Sequence, residues 1–289
     1  MKQALRLFWI FFLLFYALCI WEFIQAIKCV REPFVLLHVL SVGQGDAVLL
    51  RACWNVDLLV DGGPDNSVVY ALSRALPWWD KTIDMVMLSH PDADHVGGLP
   101  EVLSRYTVDT VVMTGVGKES FVYAAFNQLV NAQGSRVVIA GDVREIILGP
   151  MQMMILHPTA SLADTQPRDV NDSSIVARVT VFDTSLLFTG DISSTIERAL
   201  VKQYGSEVLD VAILKVAHHG SKSSSDKVFL EAVSPDVAVI SSGIDNRYHH
   251  PSPVITQRLS DYGILWYDTQ ASGDLNFVIT ARGWKSLEK

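Results

Sequence analysis

Cysteine and positive charge are both scarce in this chain, and each shortage excludes a class of protein. The 289 residues include three cysteines with neither CxxC nor zinc-finger spacing, so a disulfide framework and a thiolate metal site are not expected. Lys and Arg number 23 against 31 Asp and Glu, a formal net charge of −8, and the cations form no run. The sequence therefore does not predict a protein that grips nucleic acid by broad neutralisation of phosphates.

Apolar sequence is abundant and is concentrated at the N-terminus. Hydrophobic residues make up 49% of the chain, which excludes disorder and allows a sizeable core. Residues 7–21 carry no charge, and after Glu22 the apolar run resumes to Ile27. As a helix this stretch would span roughly 30 Å, about one bilayer core, and no small-residue cleavage site follows it. We therefore expect an uncleaved, single-pass transmembrane anchor over residues 1–31, whose orientation the balanced flanking charges leave open.

Residues 32–289 contain no long linker, low-complexity tract or internal repeat, so we predict one domain. Short β-branched runs alternate with turn signals and amphipathic stretches, which predicts an α/β (α+β) fold with two sheets sandwiched between helices. The predicted strands are 34–39, 47–52, 57–60, 85–89, 110–113, 136–139, 151–156, 174–182, 185–189, 211–216, 237–241, 264–267 and 274–280. The predicted helices are 67–76, 99–106, 120–133, 193–204, 226–233 and 253–262.

The strongest chemical signal is the stretch of potential metal ligands that directly follows one of these apolar strands. It contains four such residues within six positions: His90, Asp92, Asp94 and His95. A tight loop can turn the first three inward, while His95 faces a second ion. Mixed carboxylates and imidazoles suit Zn²⁺, Mn²⁺ or Fe²⁺ rather than Ca²⁺. The alternative is a polar loop with a helix-capping aspartate.

These residues resemble the metallo-β-lactamase superfamily, whose signature is HxHxDH after a strand, with Asp92 at the usual second histidine. Further stretches narrow the resemblance to the ComEC-type branch, the hydrolase-like domain attached to bacterial competence DNA-uptake channels, in which this aspartate is common. These stretches are, in chain order, 38–47 with VGQGDA, 60–63, 89–95, 171–174, 188–191, 215–221 and 248–251. The resemblance implies a four-layer αββα sandwich that holds two divalent metal ions, zinc or manganese.

The resemblance also implies roles for particular residues. The implied metal ligands are His90, Asp92, Asp94, His95, Asp172, Asp191 and His218. The implied catalytic residues are Asp94, His219 and His250. Asn171 competes with Asp172, Asp191 could instead cap the following helix, and His219 could be a structural histidine. Asp61 could orient a ligand histidine, although a simple turn also explains it.

Residues outside these motifs receive less specific predictions. His38 and His157 are expected to be structural. The pair Trp78 and Trp79 could stack nucleic-acid bases, although such pairs more often cap a core or meet a membrane.

The sequence thus predicts a membrane-anchored, dinuclear metal-dependent hydrolase. The preferred substrate is single-stranded DNA in competence, which would make the chain a phosphodiesterase or nuclease with its domain outside the cytoplasm. One anchor cannot form a pore, so a separate DNA-uptake channel protein is the expected partner. The alternatives are hydrolysis of a small or cell-envelope phosphoester, and a non-catalytic, metal-stabilised interaction module.

Overall fold

Two β-sheets dominate the computed structural model, which describes residues 2–163 and 165–287. The strands are β1 Phe34–Val39, β2 Val48–Ala52, β3 Val56–Val60, β4 Thr82–Met87, β5 Thr107–Met113, β6 Arg136–Ile139, β7 Glu145–Leu148, β8 Met151–His157, β9 Val176–Val181, β10 Thr184–Phe188, β11 Ile213–Lys215, β12 Val237–Ile240, β13 Leu265–Asp268, β14 Leu275–Thr280 and β15 Gly283–Ser286. The eight-stranded sheet has the order β15-β14-β1-β2-β3-β4-β5-β6, and the seven-stranded sheet has the order β13-β12-β11-β10-β9-β8-β7.

The described residues form nine α-helices, six of which make up the outer layers of the sandwich, three against each sheet. They are α1 Lys2–Arg31, α2 Ser67–Ala75, α3 Ala93–Val96, α4 Leu99–Arg105, α5 Phe121–Gln133, α6 Ser194–Leu209, α7 Lys227–Val233, α8 Pro253–Asp261 and α9 Thr269–Ser272. Local sequence explains several of their ends. Ser120 caps α5 by accepting a hydrogen bond from Tyr123 N, and Gly134 ends that helix in the left-handed conformation. Pro100 occupies the first turn of α4, where its missing N–H costs nothing.

The strands divide their side chains between an inner and an outer core. On β2, Leu50 packs between the two sheets, whereas its neighbour Leu49 packs against the layer that contains α2, α4 and α5. On β10, Leu186 and Leu187 divide in the same way, and Leu187 joins the layer of α6, α7 and α8. Strands buried on both faces need apolar residues at every position. The predicted four-layer αββα sandwich is therefore confirmed.

The structure differs from the sequence prediction at several points. It adds the short strands β7 and β15 and the one-turn helices α3 and α9, none of which was predicted. None of the helices in the described residues combines the length and the apolar character needed to cross a membrane. The predicted segments 1–31 and 32–289 also include Met1, Asp164 and residues 288–289, which lie outside the described residues.

A disulfide bond between Cys29 and Cys53 corrects the expectation drawn from cysteine spacing. It joins the end of α1 to the turn after β2. The two cysteines are 24 positions apart in sequence, and they meet because Cys53 N donates a hydrogen bond to Phe34 O, at the start of β1. That pairing is a property of the sheet register, so cysteine spacing alone could not reveal it.

The topology brings the ends of the central strands to one edge of the sandwich. Strands β3, β4 and β5 are parallel in one sheet, and β10, β11 and β12 are parallel in the other. Ligand sites in sheets with parallel strands form outside the carboxyl ends of those strands. The motif that begins at His90 follows β4, and Asp191 follows β10. The polar residues of both sheets therefore lie at the same edge of the sandwich.

Candidate metal centre

Glycines let two loops approach closely at this edge. The loop after β1 contains Gly45, where a Cβ atom would lie 2.3 Å from Asp94 O. Asp46 N donates to that same carbonyl oxygen at 3.1 Å. Gly97 is equally confined, because a Cβ there would lie 2.1 Å from Pro64 O. The absence of side chains at these glycines therefore allows the loops to pack closely against each other around the ligand residues.

Four side chains form a compact group of potential metal ligands. Asp94, His95, Asp191 and His219 each offer one ligand atom, and these atoms all lie within 4.8 Å of one another. His95 Nε2 lies 3.3 Å from Asp191 Oδ1, and His219 Nε2 lies 3.4 Å from both Asp191 Oδ2 and Asp94 Oδ2. The ring of His90 adjoins the group, with its centroid 4.2 Å from that of His95.

The hydrogen bonds of His95 and His90 leave one nitrogen of each ring free. His95 Nδ1 donates to Asp61 Oδ2 at 2.8 Å. Ser89 Oγ donates its only hydrogen to the same oxygen, so its contact with His90 Nδ1 at 3.0 Å must be a bond that it accepts. In the neutral form of each ring the Nδ1 atom is therefore the donor, and the Nε2 atom carries the lone pair that could bind a metal. Asp61 thus orients His95, as the sequence analysis suggested.

His219 is held in the same way from the other sheet. Its Nδ1 atom donates to Ser241 O at 3.0 Å and lies 3.1 Å from Asp46 Oδ1. Asp46 is also paired with Lys215 Nζ at 2.7 Å, and both of these side chains are buried. The Nε2 atom of His219 is again the nitrogen left for a ligand.

The atoms left free in this way are buried without hydrogen-bond partners. They are His90 Nε2, His95 Nε2, His219 Nε2 and Asp191 Oδ1. Burying such atoms unsatisfied is costly, and divalent cations held between them would satisfy these atoms. Imidazole nitrogen and carboxylate oxygen are also the donor types preferred by zinc and manganese. The residues therefore fit a metal centre.

Electrostatics couple the carboxylates and the imidazoles. Burial opposes the charged form of His219, but Asp191 and Asp46 outweigh it and raise the pKa of His219 well above its ordinary value. Burial would raise the pKa of Asp191, but His219 and His95 hold it well below the usual range. His90 differs, because burial, assisted by His95, lowers its pKa to about 4. Metal binding would displace protons from the paired imidazoles, since a ligand histidine must be neutral.

Four residues that were predicted as ligands lie outside the compact group: His90 and His218 adjoin it, whereas Asp92 and Asp172 are bonded to other partners. Asp92 occupies the N-cap position of α3 without a side-chain capping hydrogen bond, and its Oδ1 atom pairs with Lys118 Nζ at 2.7 Å. Asp172 Oδ1 accepts a hydrogen bond from Ser193 N at 2.8 Å. The main-chain oxygen of the alternative, Asn171, accepts from Ser174 Oγ, a bond that does not involve the Asn171 side chain. The ligand roles of Asp92 and Asp172 stay predictions.

The adjacent histidines His218 and His219 point in different directions. Both have positive φ angles, 51° and 53°, and their ring planes are inclined by 78°. His219 lies within the compact group, whereas His218 lies beside it, with Nε2 3.8 Å from Asp191 Oδ2 and the side chain 28% exposed. His250 adjoins His218 at 5.9 Å between ring centroids. This geometry makes His219 a candidate ligand beside the predicted His218.

Sequence reasoning missed the support that Lys215 gives to the site. This lysine lies in the fully buried strand β11, where a charged residue is exceptional unless it is paired. Its pairing with Asp46 explains why the loop after β1 carries an aspartate next to Gly45. A lysine at the end of an otherwise apolar strand could have indicated a buried ion pair in the sequence.

Comparisons with known proteins agree with this geometry. A family model described as "Metallo-beta-lactamase superfamily" matches residues 40–244. Competence protein ComA of Neisseria gonorrhoeae is 32% identical over 263 residues, which cover 90% of this chain and 34% of that protein. ComE operon protein 3 of Bacillus subtilis is 30% identical over 201 residues, which cover 68% of this chain and 25% of that protein. The chain thus spans about a third or less of the length of these relatives.

Two solved structures share the fold. The metallo-beta-lactamase fold protein YhfI from Bacillus subtilis has a TM-score of 0.55 and 12% identity, and the match covers 83% of this chain and 98% of that one. Tm1679, described as a metal-dependent hydrolase of the beta-lactamase superfamily, has a TM-score of 0.54 and 18% identity with the same coverage. At these identities the likeness shows the fold alone.

Proposed function

Because the chain belongs to the metallo-β-lactamase superfamily, we propose that it is a dinuclear metal-dependent phosphodiesterase that cuts single-stranded DNA during competence. One observation carries this proposal. Three imidazoles donate through Nδ1 and leave Nε2 buried and unpartnered around Asp191. Histidines that are held through one nitrogen by a polar partner and present the other inward are characteristic of metal ligands.

The position of Asp191 supports two ions rather than one. Its Oδ1 atom lies near His95, and its Oδ2 atom lies near His219. A carboxylate whose two oxygens meet different imidazoles is suited to bridging two ions. His90 lies outside the compact group of four ligand residues and offers its free Nε2 atom to the second ion.

Phosphodiester hydrolysis is the chemistry that suits this ligand set. Divalent ions supply Lewis acidity and stabilise negative charge that develops on phosphate oxygens. The carboxylates of Asp94 and Asp191 offset part of the ions' charge and hold the imidazoles in place. His250 adjoins His218, and among the described residues its Nδ1 atom has no hydrogen-bond partner, so it is our candidate for accepting a proton during hydrolysis. Burial, assisted by His218, lowers the pKa of His250 to about 4, which keeps this ring neutral. The names of the relatives, which are competence proteins, support DNA as the substrate.

Features at the opposite end of the strands support attachment to a membrane with the domain outside the cytoplasm. Disulfide bonds persist in oxidising compartments, and Cys29–Cys53 fastens α1 to the turn that carries Trp54. Trp54, Trp78 and Trp79 are 50%, 80% and 56% exposed, and tryptophans are enriched at membrane interfaces. We propose that α1 and these tryptophans hold the chain at the membrane, with the metal centre directed away from it.

The proposed localisation predicts a redox state that can be measured in cells. Cys19 is exposed and free, so it is first replaced by serine. The remaining two cysteines should then react with a maleimide reagent only after reduction, and the chain should sediment with membranes. A chain that labels without reduction, or that stays in the soluble fraction, would contradict the localisation. Co-purification of the membrane-bound chain with a DNA-uptake channel protein tests the proposed partner.

The activity is tested with the full chain, stripped of metal and reloaded with Mn²⁺ or Zn²⁺. Labelled single-stranded DNA should be cut only by the reloaded protein, and His95→Ala and Asp191→Asn should each abolish cutting. Asp183→Asn is the matched control, because Asp183 is an exposed turn residue between β9 and β10. A folded, metal-loaded chain that leaves DNA intact would exclude the nuclease.

The alternative functions are distinguished by further outcomes of the same preparation. Cleavage of a cell-envelope phosphoester without cleavage of DNA would identify the small-substrate hydrolase. Binding of metal with no hydrolysis of any phosphoester, together with loss of folding in Asp191→Asn, would favour the interaction module.

A further inference from the structure

A cleft of about 550 Å³ opens directly beside the metal centre. Its walls include Gln44, Asp92, Asp94, Lys118, Arg247 and Tyr248. The volume lies within the range of about 300–1,000 Å³ that is usual for small-molecule sites. We propose that this cleft binds the nucleoside next to the scissile phosphate of a single-stranded nucleic acid, with Tyr248 as its stacking surface. The inference rests on the proposed function and names residues that would recognise its substrate.

A series of rings connects the cleft with the metal centre. The ring of Tyr248 is stacked on that of His250, with centroids 5.8 Å apart and planes inclined by 16°. The ring of His250 in turn lies 5.9 Å from that of His218, whose Nε2 atom is 3.8 Å from Asp191. A base stacked on Tyr248 would therefore lie a few side chains from a phosphate held at the centre.

Arg247 supplies a cation that the protein itself does not neutralise. Its guanidinium lies over the ring of Tyr248, 4.7 Å from the centroid, and it donates to the Tyr248 hydroxyl. A base that stacks on Tyr248 would take the place of the guanidinium on this face, because the His250 ring is stacked on the same tyrosine. Among the residues that the structure describes, no carboxylate lies within ion-pair distance of Arg247. Lys118, on the other wall, is paired with Asp92. In a chain of net charge −8, an unpaired arginine at the rim of a carboxylate-rich site favours a polyanionic ligand.

Gln44 supplies an unused hydrogen-bond donor inside the cleft. Its Oε1 atom accepts a hydrogen bond from Gly243 N at 3.2 Å, and its Nε2 atom is buried without a partner. Such a donor suits a carbonyl oxygen of a base or a phosphate oxygen. Stacking on an aromatic ring combined with few directional bonds is typical of sites that accept many base sequences.

The loop that carries Arg247 and Tyr248 is held in a fixed position. Asn246 Nδ2 donates to His250 O at 2.6 Å, and its Oδ1 accepts from His250 N at 2.9 Å. At the start of the loop, a Cβ on Gly243 would lie 2.6 Å from Gln44 N, so the loop packs closely against the turn that contains Gln44. The backbone of this wall is therefore in place before a ligand arrives, so that binding requires movement of the Arg247 side chain rather than of the loop, which limits its cost.

Binding in EDTA tests the cleft independently of catalysis. A fluorescein-labelled oligothymidine and an abasic oligonucleotide of equal length are titrated with the full chain, and anisotropy reports both affinities. We expect the base-bearing oligomer to bind about tenfold more tightly than the abasic one. Tyr248→Ala should remove this preference, and Tyr248→Phe should retain it. Tyr262→Ala is the matched control, because Tyr262 is an exposed tyrosine at the far end of α8.

The outcomes separate this inference from the proposed function. The inference is overturned if the wild type binds the base-bearing and abasic oligomers equally tightly, or if Tyr248→Ala still prefers the base-bearing one. Arg247→Gln should weaken the binding of both oligomers equally and reduce the dependence of that binding on salt concentration. An unchanged salt dependence would show that Arg247 does not contact the bound oligomer. If the preference is found and depends on Tyr248, but the metal-loaded chain cuts no DNA, then base binding in the cleft is supported and the proposed nuclease activity is excluded.

Discussion

Replacement of Asp61 by asparagine should weaken metal binding without removing a ligand. Asp61 accepts three hydrogen bonds: Ser89 N at 2.7 Å, Ser89 Oγ at 2.7 Å and His95 Nδ1 at 2.8 Å. The last of these orients His95 and keeps its Nε2 atom free. An amide preserves the shape of the side chain but lacks the negative charge, and its NH₂ group cannot accept.

The size of the effect follows from the hydrogen bond that is weakened. A hydrogen bond to a charged group contributes about 1.5–3 kcal/mol, roughly twice that of a neutral bond. Loss of the charge should therefore cost about 1–2 kcal/mol, and each 1.4 kcal/mol is tenfold in affinity. Asp61→Asn should raise the Kd for the first metal ion about tenfold, within the range usual for residues that support a ligand histidine.

Metal affinity is measured by competition with a chromophoric chelator, and circular dichroism checks that the metal-free variant is folded. Asp183→Asn serves as the control for the same chemical change at an exposed turn. A folded Asp61→Asn variant that binds metal as tightly as the wild type would refute the argument that Asp61 determines which nitrogen of His95 faces the ion.

Three further predictions concern the support of the site and of the fold. Gly45→Ala should abolish metal binding and lower Tm, because its Cβ would lie 2.3 Å from a backbone oxygen, whereas Gly117→Ala, with open space around it, should do neither. Lys215→Met should lower the free energy of unfolding in denaturant by about 3–5 kcal/mol, because it leaves Asp46 buried without its cation; a loss below about 1 kcal/mol would contradict the pairing. Burial raises the pKa of Glu197 to about 7. The contribution of protonated Glu197 to the free energy of unfolding is therefore complete below its unfolded-state pKa of 4.5, and it is lost as the pH rises through 7. The free energy of unfolding of the wild type should fall by up to about 3 kcal/mol over that interval. Glu197→Gln should not show this fall.

The layered fold could be predicted because its elements have strong local patterns. Strand β1 was predicted at the residues that the structure shows, and β2 and β3 differ from the prediction by one residue at their starts. The missed strands β7 and β15 are four residues long, and neither is fully buried. Such strands form because a partner in the sheet supplies their hydrogen bonds, which local sequence does not reveal.

The candidate site was predictable in its composition but less so in its geometry. The ordered motifs placed His90, Asp94, His95 and Asp191 together, since ligands after parallel strands meet at one sheet edge. They predicted His218 as the ligand and His219 as a catalytic residue, whereas the compact group contains His219. Two consecutive left-handed residues turn these rings apart, which the motif does not reveal. The ion pair of Asp92 could not be predicted either, because its partner Lys118 lies 26 positions away, outside every motif.

The central claim is that a pair of divalent ions at this edge enables the chain to cut single-stranded DNA. The most direct measurement titrates Mn²⁺ into the metal-free full chain while the bound metal and the cleavage of labelled single-stranded DNA are followed together. Cleavage should rise with bound metal and reach its maximum at two equivalents. A folded chain that binds two equivalents and leaves the DNA intact, or that cuts DNA fully with no metal bound, would contradict it.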